Sequence, residues 1–204
     1  MSTTAHAPNH HGDHPGFSGL SGLVAGLSFS VGRTDDARLA CELTQVDPGD
    51  RVVDVGCGPG VAARHAASLG AQVTGIDPAA VMLRLGRAFS VGSRRVTFRE
   101  GRAEALPLPD GSADVLWSIA TVHHWPDLAG GLVEARRVLV GGGRLLAMER
   151  RTRPGATGHA SHGWTDEQAA AFADQCTDHG FADVRIERHQ AGKKPVFTVT
   201  ATRP

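Results

Sequence analysis

The sequence predicts an open α/β fold, a doubly wound and mostly parallel seven-stranded sheet with helices on both faces and one antiparallel strand near the C-terminus. Three observations carry this. Short apolar runs alternate with stretches of helical spacing from residue 34 onward. A glycine-rich turn, GCGPG at 56–60, directly follows the first of those runs. The last two strand-like runs are joined by AGKK alone (191–194), a hairpin-length link that must reverse one strand.

The elements follow in order. Residues 1–15, MSTTAHAPNHHGDHP, are polar and read as a disordered tail. His6, His10, His11 and His14 give this tail incidental metal affinity, and no metal ligand set is expected of the chain. Residues 16–33 place Leu20, Leu23, Val24 and Leu27 at helical spacing, as a lid or as a packed N-terminal helix. The main domain then runs from 34 to 204. Thr34, Asp35 and Asp36 open a helix to about Leu43.

RVVDV (51–55) is the first strand, and VAARHAASLG (61–70) a helix closed by Gly70. AQVTGID (71–77) is the second strand, followed by a helix over 78–88 with Pro78 at its first position. RVTFRE (95–100) and ADVLWSI (113–119) are the third and fourth strands. The 127–139 helix carries Leu128, Leu132, Ala135 and Leu139 on one face and stops at Gly141. GRLLAMER (143–150) is the fifth strand. Thr165 and Gln168 form a capping-box pattern for a helix ending near Gly180. DVRIERHQ (183–190) and PVFTVTAT (195–202) finish the sheet, the last alternating Phe197, Val199 and Ala201 with three threonines.

Composition sets the outer limits. At 204 residues the chain fits one domain. Lys plus Arg equals Asp plus Glu at 21 each, so no global field recruits nucleic acid or an anionic membrane. Cys41, Cys57 and Cys176 are odd in number and widely spaced, which fits a reducing cytoplasm better than a disulfide framework. No basic segment precedes an apolar one at the N-terminus, and 19–32 is too short and glycine-rich to span a bilayer.

The glycine loop narrows the chemistry. A phosphate-cradling P-loop needs a lysine that GCGPGVAA lacks. A dinucleotide fingerprint needs glycine or alanine at 61, where Val61 stands. The spacing is instead D-x-G-x-G-x-G, through Asp54, Gly56, Gly58 and Gly60.

That spacing, with Asp77 ending the second strand, resembles the Rossmann-like class I S-adenosylmethionine-dependent methyltransferases. VVDVGCGPG is similar to their first motif, and GIDPAAVM to their second-strand motif. GRAEALPLPDGSADVLWSIATVHHWPD and EARRVLVGGGRLL resemble the small-molecule branch that contains ubiquinone/menaquinone-type enzymes. The resemblance covers roughly 34–204. It implies that S-adenosylmethionine is the cofactor. Asp54 would organise the loop and help hold its ammonium group, with Gly56, Cys57, Gly58 and Gly60 as the seat. Asp77 suits the ribose hydroxyls, with Pro78 beside it and Ile119 closing the fourth strand. Met82, Ala103 and Glu104 fall where the family contacts adenine. Arg102 replaces an acidic residue common there, and Gly141 replaces a proline common in that turn.

Transfer to a hydroxyl needs a base, and imidazole suits the task near neutral pH. His124, and after it His123, are the candidates, because the segment after the fourth strand enters the crevice. Trp125 is placed at the substrate mouth, and Arg150, His162 and Trp164 in a long loop that also holds Arg151, Arg153 and His159. The reading is O-methylation of a small-molecule acceptor. The alternatives are C-methylation of a quinone or polyketide-like ring and a non-catalytic cofactor-binding protein. Nucleic-acid methylation is disfavoured, since SIATVHHW has no Pro-Pro-Tyr-type segment and the chain has no tyrosine. A homodimer stays open.

Overall fold

The computed structural model describes residues 7–12 and 34–204. The 16–33 segment read as a helix or lid lies outside the described residues, as do His6 and His14. Helix α1 (Thr34–Leu43) leads into β1 (Arg51–Val55), α2 (Val61–Ser68), β2 (Gln72–Asp77), α3 (Ala80–Phe89), β3 (Val96–Glu100) and β4 (Ala113–Ile119). A 3₁₀ turn, Val122–His124, precedes α4 (Leu128–Val138) and β5 (Leu139–Arg150). A second such turn, Gly158–Ser161, precedes α5 (Asp166–Asp178), β6 (Ala182–Ala191) and β7 (Lys194–Thr202).

The strands form one sheet in the order β3-β2-β1-β4-β5-β7-β6. Every pair as far as β4–β5 is parallel, and β7 runs antiparallel to both its neighbours. Strand order reverses between β1 and β4, so the crevice for a ligand opens beyond their carboxyl ends. Both faces are covered. Val53, Val55, Leu116, Leu145, Phe197 and Val199 pack with α4 and α5 on one side. Val52, Val73, Trp117, Leu146 and Met148 pack with α1 and α2 on the other. Apolar runs without strict alternation, as in β1 and β4, follow from burial on two faces. β7 shows the same effect, since Thr198 is buried along with Phe197 and Val199. The three cysteines are buried free thiols, and burial pushes those of Cys41 and Cys176 up to about 12.

Three boundaries differ from expectation. Pro78 is not the first helical residue: α3 begins at Ala80, and the Asp77 carboxylate accepts the Ala79 N–H at 2.8 Å. α4 ends at Val138 and β5 begins at once. Leu139 pairs with Ala113, whereas Arg144 pairs with Val115, so the intervening glycines bulge from the sheet. The Gly142 N–H then donates to Arg203 O at 2.7 Å, and the Arg203 N–H donates to Gly143 O at 2.9 Å. The 7–12 stretch of the expected disordered tail is a turn docked on the domain. Trp164 Nε1 donates to Pro8 O at 2.8 Å, and Asn9 Nδ2 donates to Trp125 O at 3.0 Å. The capping box is present: Thr165 accepts the Gln168 N–H, and Gln168 accepts the Thr165 N–H.

Below the sheet, at its amino-terminal edge, Arg51 clamps Asp114 through Nε, Nη2 and its own backbone N–H at 2.8–2.9 Å. The hydrogen-bonded guanidinium holds the Asp114 carboxyl below its usual value. A depressed carboxyl contributes stability above its unfolded value, near 3.8, and loses it as pH falls through the lower folded value. Asp114→Asn should therefore melt below the native chain at neutral pH, the gap closing below about pH 4. Parallel melting curves across that range would contradict the assignment.

Candidate active site

Gly56 and Cys57 leave β1 with both N–H groups donating to Ile76 O, at 2.8 and 3.0 Å, which lays the loop against β2. Gly56 has φ +73°, and a Cβ there would sit 2.5 Å from Thr121 Cγ2. Gly60 has φ +74°, and a Cβ would meet Phe98 Cζ at 2.6 Å. Neither position tolerates a side chain. Gly58 differs, since a Cβ there would meet nothing within 4 Å. It leaves an open cradle that a side chain would fill, over a loop whose backbone is bare.

Asp77 ends β2 beside this cradle. Its Oδ2 accepts the Gly58 N–H at 2.9 Å and its Oδ1 the Ala79 N–H at 2.8 Å. Burial pushes its carboxyl above the ordinary value, and the Ala79 and Gly58 N–H groups pull it back. Each oxygen keeps a second lone pair for a hydroxyl donor. Asp54 is buried one residue before the end of β1. A bare glycine loop facing a carboxylate fits the amino-acid and ribose portions of S-adenosylmethionine.

Other residues assigned to the cofactor lie less openly. The Cys57 side chain packs with Leu83 and Phe98 in the interior, so only its backbone faces the loop. Met82 and Ile119 are buried, and Ala103 belongs to the core beside Leu106. Arg102 is exposed, 3.8 Å from Glu104 Oε1. Pro78 is exposed ahead of α3.

The segment after β4 turns sharply. Ala120 adopts φ +57°, unusual for a residue with a side chain, and its N–H donates to Met148 O at 2.7 Å. Thr121 Oγ1 donates to Val55 O at 3.1 Å, tying this corner to the glycine loop. His123 and His124 follow. His123 is buried, and its Nδ1 lies 2.8 Å from Oε2 of Glu149, which is fully buried at the end of β5. A carboxylate oxygen accepts, so in this pair Nδ1 is the donor and Nε2 is the ring nitrogen left for other partners. His123 Nε2 stands 3.3 Å from His162 Nδ1. Burial first, then the neighbouring His123 and His162, pull the His124 imidazolium down to about 3, so this ring is neutral at pH 7.

The 150–164 loop delivers His162. Trp164 N–H donates to Arg150 O, and Thr152 N–H to Trp164 O, both at 2.8 Å. Arg150 Nε holds His162 O at 3.1 Å. The docked N-terminal turn adds His11, whose N–H donates to His123 O at 2.8 Å and whose ring stacks on that of His162 at 4.7 Å. Of His159 only the backbone is described. Arg150, Arg151 and Arg153 line a shallow basic depression with Lys193 and Lys194.

The structure therefore brings His123, His124 and His162 together, whereas the two tryptophans assigned to substrate are buried in the core. Trp125 is 5% exposed, and its ring fills the space a Cβ on Gly131 would take. Trp164 is 0% exposed, with its ring 4.9 Å from that of Phe172. Both rings belong to the buried core cluster on the α4 and α5 side of the sheet. Glu149 and His11 were missed. For Glu149 a signal existed: an acid inside the buried run LLAMER needs a partner.

Residues 53–147 match the family profile described as methyltransferase domain. The demethylmenaquinone methyltransferase of Tropheryma whipplei (strain Twist) is 38% identical over 112 residues, 55% of this chain and 46% of that protein. The 27-O-demethylrifamycin SV methyltransferase of Amycolatopsis mediterranei is 41% identical over 101 residues, 48% of this chain and 37% of that protein. The chain thus spans less than half the length of either relative. A solved S-adenosylmethionine-dependent methyltransferase from Aquifex aeolicus has the same fold, with a TM-score of 0.74 at 18% identity over 89% of this chain and 98% of that one. Among the described residues no helix is long and apolar enough to cross a membrane. With the glycine loop and Asp77 at the strand-order reversal, residues 53–147 are similar to a methyltransferase domain, and the sheet has the fold of the Aquifex enzyme.

Proposed function

We propose that the chain transfers a methyl group from S-adenosylmethionine to a hydroxyl of a small-molecule acceptor in the cytoplasm, with an imidazole of the 123–124 pair taking the proton. The observation that carries this is the buried His123–Glu149 pair at the carboxyl ends of β4 and β5. Glu149 fixes the tautomer and orientation of His123, the role a carboxylate plays for any imidazole base. Burial and the neighbouring imidazoles pull the His124 imidazolium down to about 3, which makes this ring a poor base at neutral pH. The order expected from sequence is accordingly reversed, with His123 placed first.

Asp54, the 56–60 loop and Asp77 would hold the cofactor, and the backbone near Ala103 would border its base. When bound, S-adenosylmethionine supplies an electrophilic methyl on its sulfonium. The chain's part is to align the acceptor, exclude water and accept the hydroxyl proton at His123 Nε2. The Amycolatopsis relative, named for an O-demethyl substrate, supports an oxygen acceptor. The Tropheryma relative, named for demethylmenaquinone, supports a second reading, transfer to a carbon of a quinone ring.

Calorimetry tests the cofactor and labelled methyl groups test the reaction. S-adenosylmethionine and its demethylated product should bind, and NAD should not. Asp77→Asn should weaken binding about 10–100-fold, the worth of one or two charge-assisted hydrogen bonds. Unchanged affinity would remove Asp77 from the site. Across a panel of phenols, alcohols and hydroquinones, label should appear as an O-methyl group. A C-methyl product would establish the second reading, and absence of label from every acceptor would leave a cofactor-binding protein.

A further inference from the structure

We infer that His123, His124 and His162 form a binding site for one divalent first-row transition ion, of which zinc is the fitting example. Ligand nitrogens from the three rings all lie within 4.8 Å of one another. The closest pair, His123 Nε2 and His162 Nδ1, is 3.3 Å apart. Two imidazole nitrogens bound tetrahedrally at about 2.0–2.1 Å must lie about 3.3–3.4 Å apart, so this pair already has the spacing of two ligands on one ion.

The surroundings supply the second observation. Glu149, fully buried, takes the Nδ1 side of His123 and leaves Nε2 facing the cluster. This carboxylate–histidine arrangement orients metal-ligating imidazoles and raises their basicity. Contacts to the main chain hold the segments that carry the other two rings. His162 is held through its carbonyl by Arg150 Nε, and Gly163 after it has φ +136° with no room for a Cβ against Arg150 O. His124 N–H donates to Thr121 O at 2.9 Å. The His11 ring stacks on His162 and covers the cluster.

Three neutral imidazoles select borderline ions such as zinc, cobalt, nickel or copper over magnesium or calcium, which prefer oxygen. Three protein ligands also leave a fourth position open, the pattern of a catalytic rather than a structural site. Lying where the proposed acceptor enters, an ion here would bind the acceptor oxygen and lower its pKa. The hydroxyl would then lose its proton to solvent, and His123 Nε2 would serve as a ligand in place of a base. This consequence rests on the methyl-transfer reading, whereas ion binding itself does not.

The test uses the full untagged chain, stripped with a chelator and titrated with Co²⁺. One equivalent should bind and give the intense visible absorption of a four- or five-coordinate nitrogen site, bleached by Zn²⁺. His162→Ala and His124→Ala, both at partly exposed positions, should each weaken Co²⁺ binding at least tenfold while keeping the native circular dichroism. Glu149→Gln should weaken it about 10–100-fold through loss of orientation alone. Absence of stoichiometric binding would overturn the proposal. So would binding unchanged in both alanine variants, which would assign the ion to histidines of the N-terminal segment. Ion binding without methyl transfer to any acceptor would sink the functional reading alone, and metal-free transfer without ion binding would sink this one alone.

Discussion

Glu149→Gln is expected to lower methyl-transfer turnover by about 10²–10⁴-fold, the usual worth of a positioned acid–base group. The substitution keeps the shape of the side chain and removes its charge. S-adenosylmethionine affinity should stay within about twofold, because Glu149 touches His123 and not the glycine loop. A loss in kcat per folded enzyme, with native circular dichroism and an unchanged KM for the cofactor, marks a positioning role, since a fall in the folded fraction alone disappears on that normalisation. Glu149→Ala should behave differently. It leaves the His123 Nδ1–H unpaired in a buried site and should cost about 1–3 kcal/mol of stability. Turnover by Glu149→Gln equal to that of the native chain would remove the pair from the chemistry.

Trp164→Ala should be the most destabilising of the aromatic substitutions, at about 3–5 kcal/mol. The ring is fully buried, packs on Phe172, and its N–H holds the N-terminal turn through Pro8 O. For a chain of this size such a loss lowers the melting temperature by roughly 6–20 °C. Trp164→Phe separates the two contributions. It keeps most of the packing, loses the hydrogen bond, and should cost about 1 kcal/mol from that bond. If Trp164 instead formed an acceptor surface, Trp164→Ala would change acceptor KM while chemical denaturation midpoints stayed fixed.

The parts of the fold legible in the sequence were those with local causes. β1 and β4 end where expected because a two-face-buried strand reads as an apolar run, here closed by Gly56 after β1 and by the turn at Ala120 after β4. The helix at 165 was legible because its capping box is a contact between residues three apart. Leu139 was misread since one residue fits both the helical face of α4 and the first rung of β5. Glycines at 141–143 carry no side chain to show which ended where.

The site divides the same way. Asp54, the glycines and Asp77 are ordered along one strand–turn–helix–strand unit, so spacing exposes them. The imidazole cluster joins segments near residues 11, 123, 149 and 162, and no local pattern encodes that convergence. The tryptophans were misplaced for a related reason. Neighbouring residues in a turn face different ways, so closeness in sequence to His124 or His162 says little about where either ring points.

The docked N-terminal turn has a consequence for the order in which the molecule is assembled. Residues 7–12 are synthesised before the segments they bind, with 156 positions between Pro8 and Trp164 and 158 between His10 and Gln168. During translation that stretch lacks its contacts to His123 and Trp125 until those residues have emerged, and its contacts to Trp164 and Gln168 until later still. The local strand–helix units close early, at low entropic cost, while contacts of such long sequence separation form late. The histidine-bearing corner of the molecule is therefore the last to be completed, and the crevice acquires its imidazole cover after the sheet beneath it is in place.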